Sequence, residues 1–129
     1  MLKSPLKVLV AEGSSDLALR VRELLSELDF VTSIGYAKNG HEALALAEFM
    51  NPDFILLDIK MPGMNDLDVL EKLRLQKHEV KIILLTTHPD EYLRQKCLEL
   101  GADYYLDKML EFDQIADILR YQPRQSAAS

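Results

Sequence analysis

The chain has 129 residues, of which 48% are hydrophobic and 28% charged, the balance of one soluble globular domain that buries about two-thirds of its unfolded surface. Its net charge of −6, from 15 basic and 21 acidic residues, sets the body of the domain against nucleic acid and anionic membranes. A single cysteine, Cys97, excludes an intrachain disulfide and fits a reducing compartment; with no signal-like opening and no apolar run near ~20 residues, a cytoplasmic protein without a membrane span is expected.

Short β-rich runs alternate five times with helical periodicity. Leu6 to Ala11 is an apolar run of buried-strand length. Leu17, Val21, Leu24, Leu25 and Leu28 then fall on one stripe of a helix, the spacing a 3.6-residue period requires. Val31 to Ala37 reads as a second, more polar strand. Asn39 with Glu42 three positions on has the form of a capping box, opening a helix that runs to Met50 ahead of Pro52. Phe54 to Leu57 is the third strand, and Asn65 is placed to cap a helix carrying Leu67, Leu70 and Leu73. Val80 to Leu85 is the fourth strand. Pro89 suits a first helical position, Asp90 and Glu91 the positive end of a helix dipole, and Gly101 the helix stop. Tyr104 to Leu106 is a short fifth strand. Phe112, Ile115, Ile118 and Leu119 mark the last helix, and residues from Gln122 onward read as a tail or the start of a linker.

Strict strand–helix alternation implies a parallel sheet covered by helices on both faces, with ligands beyond the carboxyl ends of the strands. The expected fold is α/β and flavodoxin-like, a doubly wound five-stranded parallel sheet in the order 2-1-3-4-5 with five helices. In that order strands 1, 3, 4 and 5 are neighbours. Their ends carry Glu12, Asp58, Thr86 and Lys108. Strand 2 ends in Ala37-Lys38, without an obvious reactive group, and falls on the outside. Two carboxylates, a hydroxyl and an ammonium at one sheet edge are suited to a phosphoryl group and a divalent cation.

The segments Lys7-Val8-Leu9-Val10-Ala11-Glu12, Pro52 through Met64 around Asp58, Leu85-Thr86 and Gly101 through Lys108 resemble the receiver domains of bacterial two-component response regulators. The likeness runs from about Leu6 to Leu119, so residues 5–121 are expected to form a receiver domain and 122–129 a flexible tail or linker. The resemblance implies that Asp58 accepts a phosphoryl group from a sensor histidine kinase or phosphotransfer protein. It further implies that Glu12, Asp58 and the backbone carbonyl of Lys60 hold Mg²⁺, a cation that prefers octahedral oxygen coordination. Thr86 and Lys108 would contact the phosphoryl group, which adds about −1.5 to −2 charges. Tyr105 matches the switch aromatic of the family, though a half-buried strand tyrosine accounts for it equally well. Lys60 and His88 would overlook the pocket and affect how long the phosphoryl group survives. Such a domain is a phosphoacceptor, not an enzyme in its own right. It signals to a downstream protein through a changed surface, without touching nucleic acid or membrane itself.

Gly13 departs from the pattern, which usually has two adjacent acidic residues at Glu12 and the next position. Losing even an outer partner of a metal site costs about 10–100-fold in affinity, so losing a ligand costs at least about 1.4–2.7 kcal/mol and a weak Mg²⁺ site is expected. Gly13 could instead serve the turn into the first helix through its backbone freedom. The rival reading is a pseudo-receiver that binds partners without being phosphorylated. Met109 follows Lys108 where relatives often have proline, so a trans bond is expected there. His41, His78 and His88 lack ligand spacing, Cys97 shares an apolar face with Leu93 and Leu100, and Arg20, Arg22, Arg94 and Lys96 read as solvated helix faces. No output domain is visible within 129 residues, which leaves a single-domain regulator, a relay shuttle or an excised piece.

Overall fold

The structure is a computed structural model that describes residues 5–59, 66–76 and 79–121. Five parallel strands form one sheet in the order β2-β1-β3-β4-β5. They are β1 (Leu6–Ala11), β2 (Val31–Ala37), β3 (Phe54–Asp58), β4 (Lys81–Thr86) and β5 (Tyr104–Asp107). Between and after them run α1 (Ser15–Ser26), α2 (Gly40–Met50), α3 (Asp66–Gln76), α4 (Glu91–Leu100) and α5 (Gln114–Tyr121). This is the flavodoxin-like arrangement expected from the alternation. β3 and β4 each run one residue further than the apolar pattern suggests, so Asp58 and Thr86 are strand residues.

Alternate residues of each strand face opposite sides, as a period of two demands. Leu9, Ile55, Leu57, Ile82 and Leu84 pack with Ala43 and Ala47 of α2, Val69, Leu70 and Leu73 of α3, and Cys97 of α4. Val8, Val10, Leu56, Ile83 and Leu85 pack on the other side with Leu17, Val21 and Leu25 of α1 and Ile115 and Leu119 of α5. Both faces of the central strands are therefore dry, which explains their near-continuous apolar runs. Cys97 is fully buried in the first of these clusters, a core position as its spacing suggested.

Local chemistry sets the helix ends, with small shifts from the simplest reading. Asn39 caps α2 by accepting from the Glu42 N–H at 2.9 Å. Glu42 returns a bond one residue earlier than a standard box, accepting from the N–H of Lys38 at 2.8 Å. Asp90, not a helical Pro89, begins α4: it is the N-cap and accepts from Leu93 N–H at 2.9 Å. Pro89 therefore lies before the cap. Gly101 closes that helix with φ +120°, a backbone setting that favours glycine. Gly101 is the positive-φ glycine among the described residues, so Gly13 does not use the conformational freedom that its turn position suggested. Arg20 is not simply solvated: its guanidinium lies 4.3 Å over the Phe112 ring, joining α1 to the segment before α5. No cis peptide bond occurs among the described residues, in agreement with a trans bond before Met109. The expected cap Asn65, the expected cation-holding carbonyl of Lys60, His78 and the tail from Gln122 lie outside the described residues.

Candidate functional site

Among the described residues, the buried polar and charged side chains are Glu12, Asp58, Thr86 and Lys108, at 4%, 3%, 1% and 7% exposure. A domain this size has little reason to bury ionic groups for stability, because their desolvation offsets most of the attraction gained. All four stand at the carboxyl end of the sheet, where loops leave β1, β3, β4 and β5. β3 places Asp58 beside Leu85 of β4, and β4 places Thr86 beside Asp107 of β5.

Lys108 draws the carboxylates together. Its Nζ lies 3.0 Å from Asp58 Oδ1 and 3.1 Å from Glu12 Oε2. The backbone holds it in place, since Lys108 N–H donates to Thr86 C=O at 2.8 Å. The following turn is also fixed. Asp107 Oδ1 accepts from the N–H groups of Met109 and Leu110 at 2.8 and 3.0 Å, and Glu111 Oε1 accepts from Asp107 N–H at 2.9 Å. Asp107 and Glu111 were not singled out from the sequence, although an Asp followed by Glu four positions on is a visible turn signal.

Glu12 is the electrostatically stressed member. Burial pushes its carboxyl from 4.5 up to about 7, helped by the Asp58 charge and by a hydrogen bond that only protonated Glu12 can share with that carboxyl. Lys108 and the Ser14 amide oppose the rise. Ser14 N–H donates to Glu12 Oε2 at 3.1 Å, while Oε1 is buried with no hydrogen-bond partner. Ser14 also caps α1 through its hydroxyl, a second role the sequence reading missed. Gly13 is exposed and contributes its backbone: its N–H points to Asp58 Oδ2 at 3.4 Å.

These residues suit a hard divalent cation. An ionised Glu12 with an orphaned buried oxygen, next to Asp58, offers oxygen donors and uncompensated charge. Among the described residues no group of three or more His, Cys, Asp or Glu side chains could hold a metal. Among the described residues a cation here would rest on these two carboxylates, and one or two carboxylates are a common protein share for Mg²⁺.

Thr86, His88 and Tyr105 make contacts of their own. The Thr86 hydroxyl accepts from the His88 N–H at 3.1 Å. The exposed His88 ring pairs with the Thr87 hydroxyl through Nδ1 at 3.0 Å. Tyr105 packs against the core on the α4 side, and its hydroxyl accepts from Asp90 N–H at 3.3 Å. It thus reaches the helix that the Thr86 loop enters, while Glu12, Asp58 and Lys108 are in direct contact with one another. No helix among the described residues is long and apolar enough to cross a membrane.

Comparison with known proteins bears on the family of the chain and not on single residues. A family model described as the response regulator receiver domain matches residues 8–120. The nitrate/nitrite response regulator protein NarL of Escherichia coli K12 is 37% identical over 109 residues, which cover 84% of this chain and 50% of that protein. The transcriptional regulatory protein YdfI of Bacillus subtilis 168 is 37% identical over 102 residues, 79% of this chain and 47% of that protein. The chain thus spans about half the length of the curated relatives it matches. Among solved structures, the chemotaxis protein CheY4 of Vibrio cholerae superposes with a TM-score of 0.81 at 26% identity, covering 91% of this chain and 98% of the other. The receiver domain of the Francisella response regulator 1452 gives 0.80 at 28% identity, covering 89% and 93%.

Proposed function

The chain belongs to the response regulator receiver domains of two-component systems, and on that premise we propose that Asp58 accepts a phosphoryl group from a sensor histidine kinase or phosphotransfer protein. The family is one of phosphoacceptors and not of classical enzymes, it implies a cognate histidine kinase, and its members typically bind Mg²⁺. The supporting observation is the burial of Asp58 at a strand end with Lys108 3.0 Å away and Glu12 beside it. A carboxylate oxygen of Asp58 attacks phosphorus in line with the P–N bond of a phosphohistidine. The P–O bond forms as the P–N bond breaks, and its electron pair returns to the imidazole. Such a transfer needs mainly positioning and charge neutralisation.

Lys108 meets the new charge with its ammonium, and the Thr86 hydroxyl exchanges its His88 amide for a phosphoryl oxygen. That exchange pulls residues 87–90, whose last member holds Tyr105 through Asp90 N–H. Tyr105 then repacks and changes the surface of α4, β5 and α5 that a downstream protein reads. His88 and Lys60 tune the lifetime of the phosphoryl group. Mg²⁺, when bound, would supply charge neutralisation for the transferring group; Glu12 and Asp58 would hold it, together with the Lys60 backbone carbonyl that the family resemblance implies. The site is weak because Gly13 offers no second carboxylate. The receiver unit is residues 5–121, acting in the cytoplasm without contacting nucleic acid itself.

One observation favours the rival reading of a pseudo-receiver: at position 13 the cation would find only a backbone N–H. The two readings separate on treating the protein with a small phosphodonor, with and without Mg²⁺, and measuring intact mass. A Mg²⁺-dependent gain of one phosphoryl group that is lost in Asp58→Asn supports the receiver. No gain even at high millimolar Mg²⁺ supports the pseudo-receiver.

A further inference from the structure

The connection that carries Lys108 out of β5 is not held by apolar packing. Met109 and Leu110, the two residues that follow, are 64% and 86% exposed. A lysine stem is also long and flexible, yet Lys108 Nζ lies 3.0 Å from Asp58 Oδ1 and 3.1 Å from Glu12 Oε2. A backbone that wandered beneath it would not keep both contacts. We infer that Asp107 and Glu111 are positioning residues for Lys108: their carboxylates fix the turn from which the ammonium is aimed at Asp58. The inference rests on the receiver reading and deepens it by assigning two residues to which the family resemblance gives no role.

The two carboxylates act in series. Asp107 Oδ1 accepts from the N–H groups of Met109 and Leu110 at 2.8 and 3.0 Å, so one side chain reaches across Lys108 and grips the peptide units beyond it. Glu111 in turn holds Asp107. Its Oε1 accepts from Asp107 N–H at 2.9 Å, and its own N–H donates to Asp107 C=O at 3.0 Å. Hydrogen bonds to an ionised acceptor are roughly twice as strong as neutral ones, which suits carboxylates to a turn with little apolar contact. An Asp that bonds the amides just after it is a common turn device. What ties this one to the site is the residue it encloses.

Both ends of the turn are anchored to the body of the domain. Lys108 N–H donates to Thr86 C=O at 2.8 Å on β4. Phe112, buried at 9% exposure, lies 4.3 Å beneath the Arg20 guanidinium of α1. Anchored ends and a closed turn leave the Lys108 backbone little freedom, so less ordering is left for the moment when the ammonium meets its partners.

The test compares the full chain as wild type, Asp107→Ala, Asp107→Asn and Glu111→Ala. The first readout is the NMR signal of the Lys108 ammonium, taken without cation or phosphodonor. In wild type its protons are expected to exchange slowly with water, because two carboxylates hold them. Both alanine variants are expected to lose that signal. Asp107→Asn, which keeps the acceptor oxygen, is expected to retain it. The second readout is the rate at which acetyl phosphate with Mg²⁺ loads Asp58. That rate is expected to fall about ten-fold to a hundred-fold in the alanine variants, in line with the cost of misplacing a group in a preorganised site. A folded Asp107→Ala whose ammonium signal matches wild type overturns the inference, and so does an Asp107→Asn that behaves like alanine. No loading in any of the four proteins, with the ammonium signals as expected, overturns the receiver reading and leaves the positioning of Lys108 standing. Should both alanine variants fail to fold, wild-type amide exchange decides: slow exchange at Met109 and Leu110 supports the turn, and rapid exchange at both overturns it.

Discussion

The Tyr105 hydroxyl accepts a hydrogen bond from the backbone N–H of Asp90 at 3.3 Å, tying β5 to the cap of α4. Asp90 is also the residue whose carboxylate accepts from Leu93 N–H at 2.9 Å and whose carbonyl accepts from Arg94 N–H at 2.8 Å. One phenol therefore reports to the first turn of a helix. Tyr105→Phe removes the hydroxyl and keeps the ring packing. Stability is expected to fall by no more than about 1 kcal/mol, because the exposed Asp90 N–H regains water. Amide exchange at Asp90 is expected to speed up, with the proposed phosphorylation of Asp58 unaffected. Unchanged Asp90 exchange in the variant would show that the contact does not hold the helix start.

Glu12 makes stability depend on pH in an unusual direction for an acid. Its carboxyl rises to about 7 in the folded protein from an ordinary 4.5, so the folded chain binds a proton through that window that the unfolded chain has released. The contribution is complete below 4.5 and is lost as pH climbs through about 7. Urea unfolding in EDTA is expected to lose on the order of 1–3 kcal/mol from this group between pH 4.5 and 8. Glu12→Gln should flatten that slope. Saturating Mg²⁺ should flatten it too, because a cation held as proposed favours ionised Glu12.

Arg74 links three segments at the opposite end of the sheet from Asp58. Its Nη2 donates to Gly101 C=O at 2.6 Å and to Asp103 Oδ2 at 2.9 Å, and its Nη1 donates to Val80 C=O at 2.9 Å. A Cβ on Gly101 would lie 2.8 Å from Arg74 Cγ, at a φ of +120°. Gly101→Ala is expected to cost about 1–3 kcal/mol from backbone strain, and Arg74→Met a similar amount from carbonyls left without donors. The double variant should lose less than the sum, because both changes damage one contact. Thermal unfolding measures these losses.

Local patterns carried most of the fold. Apolar runs, 3.6-residue stripes, Asn39 with Glu42, and Gly101 each report on neighbours within a few residues, so they can be read without the rest of the chain. The exceptions are small and local as well. Asp90 takes the capping place ahead of which Pro89 falls, and Glu42 bonds Lys38 in place of Asn39. Strand order also put Glu12, Asp58, Thr86 and Lys108 at one edge before any contact was known.

What no local pattern contains is the way those groups meet. Residues 12 and 108 are 96 positions apart, yet share a 3.1 Å contact. The raised Glu12 carboxyl, the shared ammonium and the Tyr105–Asp90 tie all follow from burial and charge at short range between distant segments. Residue types and their periods decide which elements form and which groups end them. Solvation and Coulomb energy depend on distances that exist only once the sheet is assembled, so the electrostatic character of the pocket was decided there.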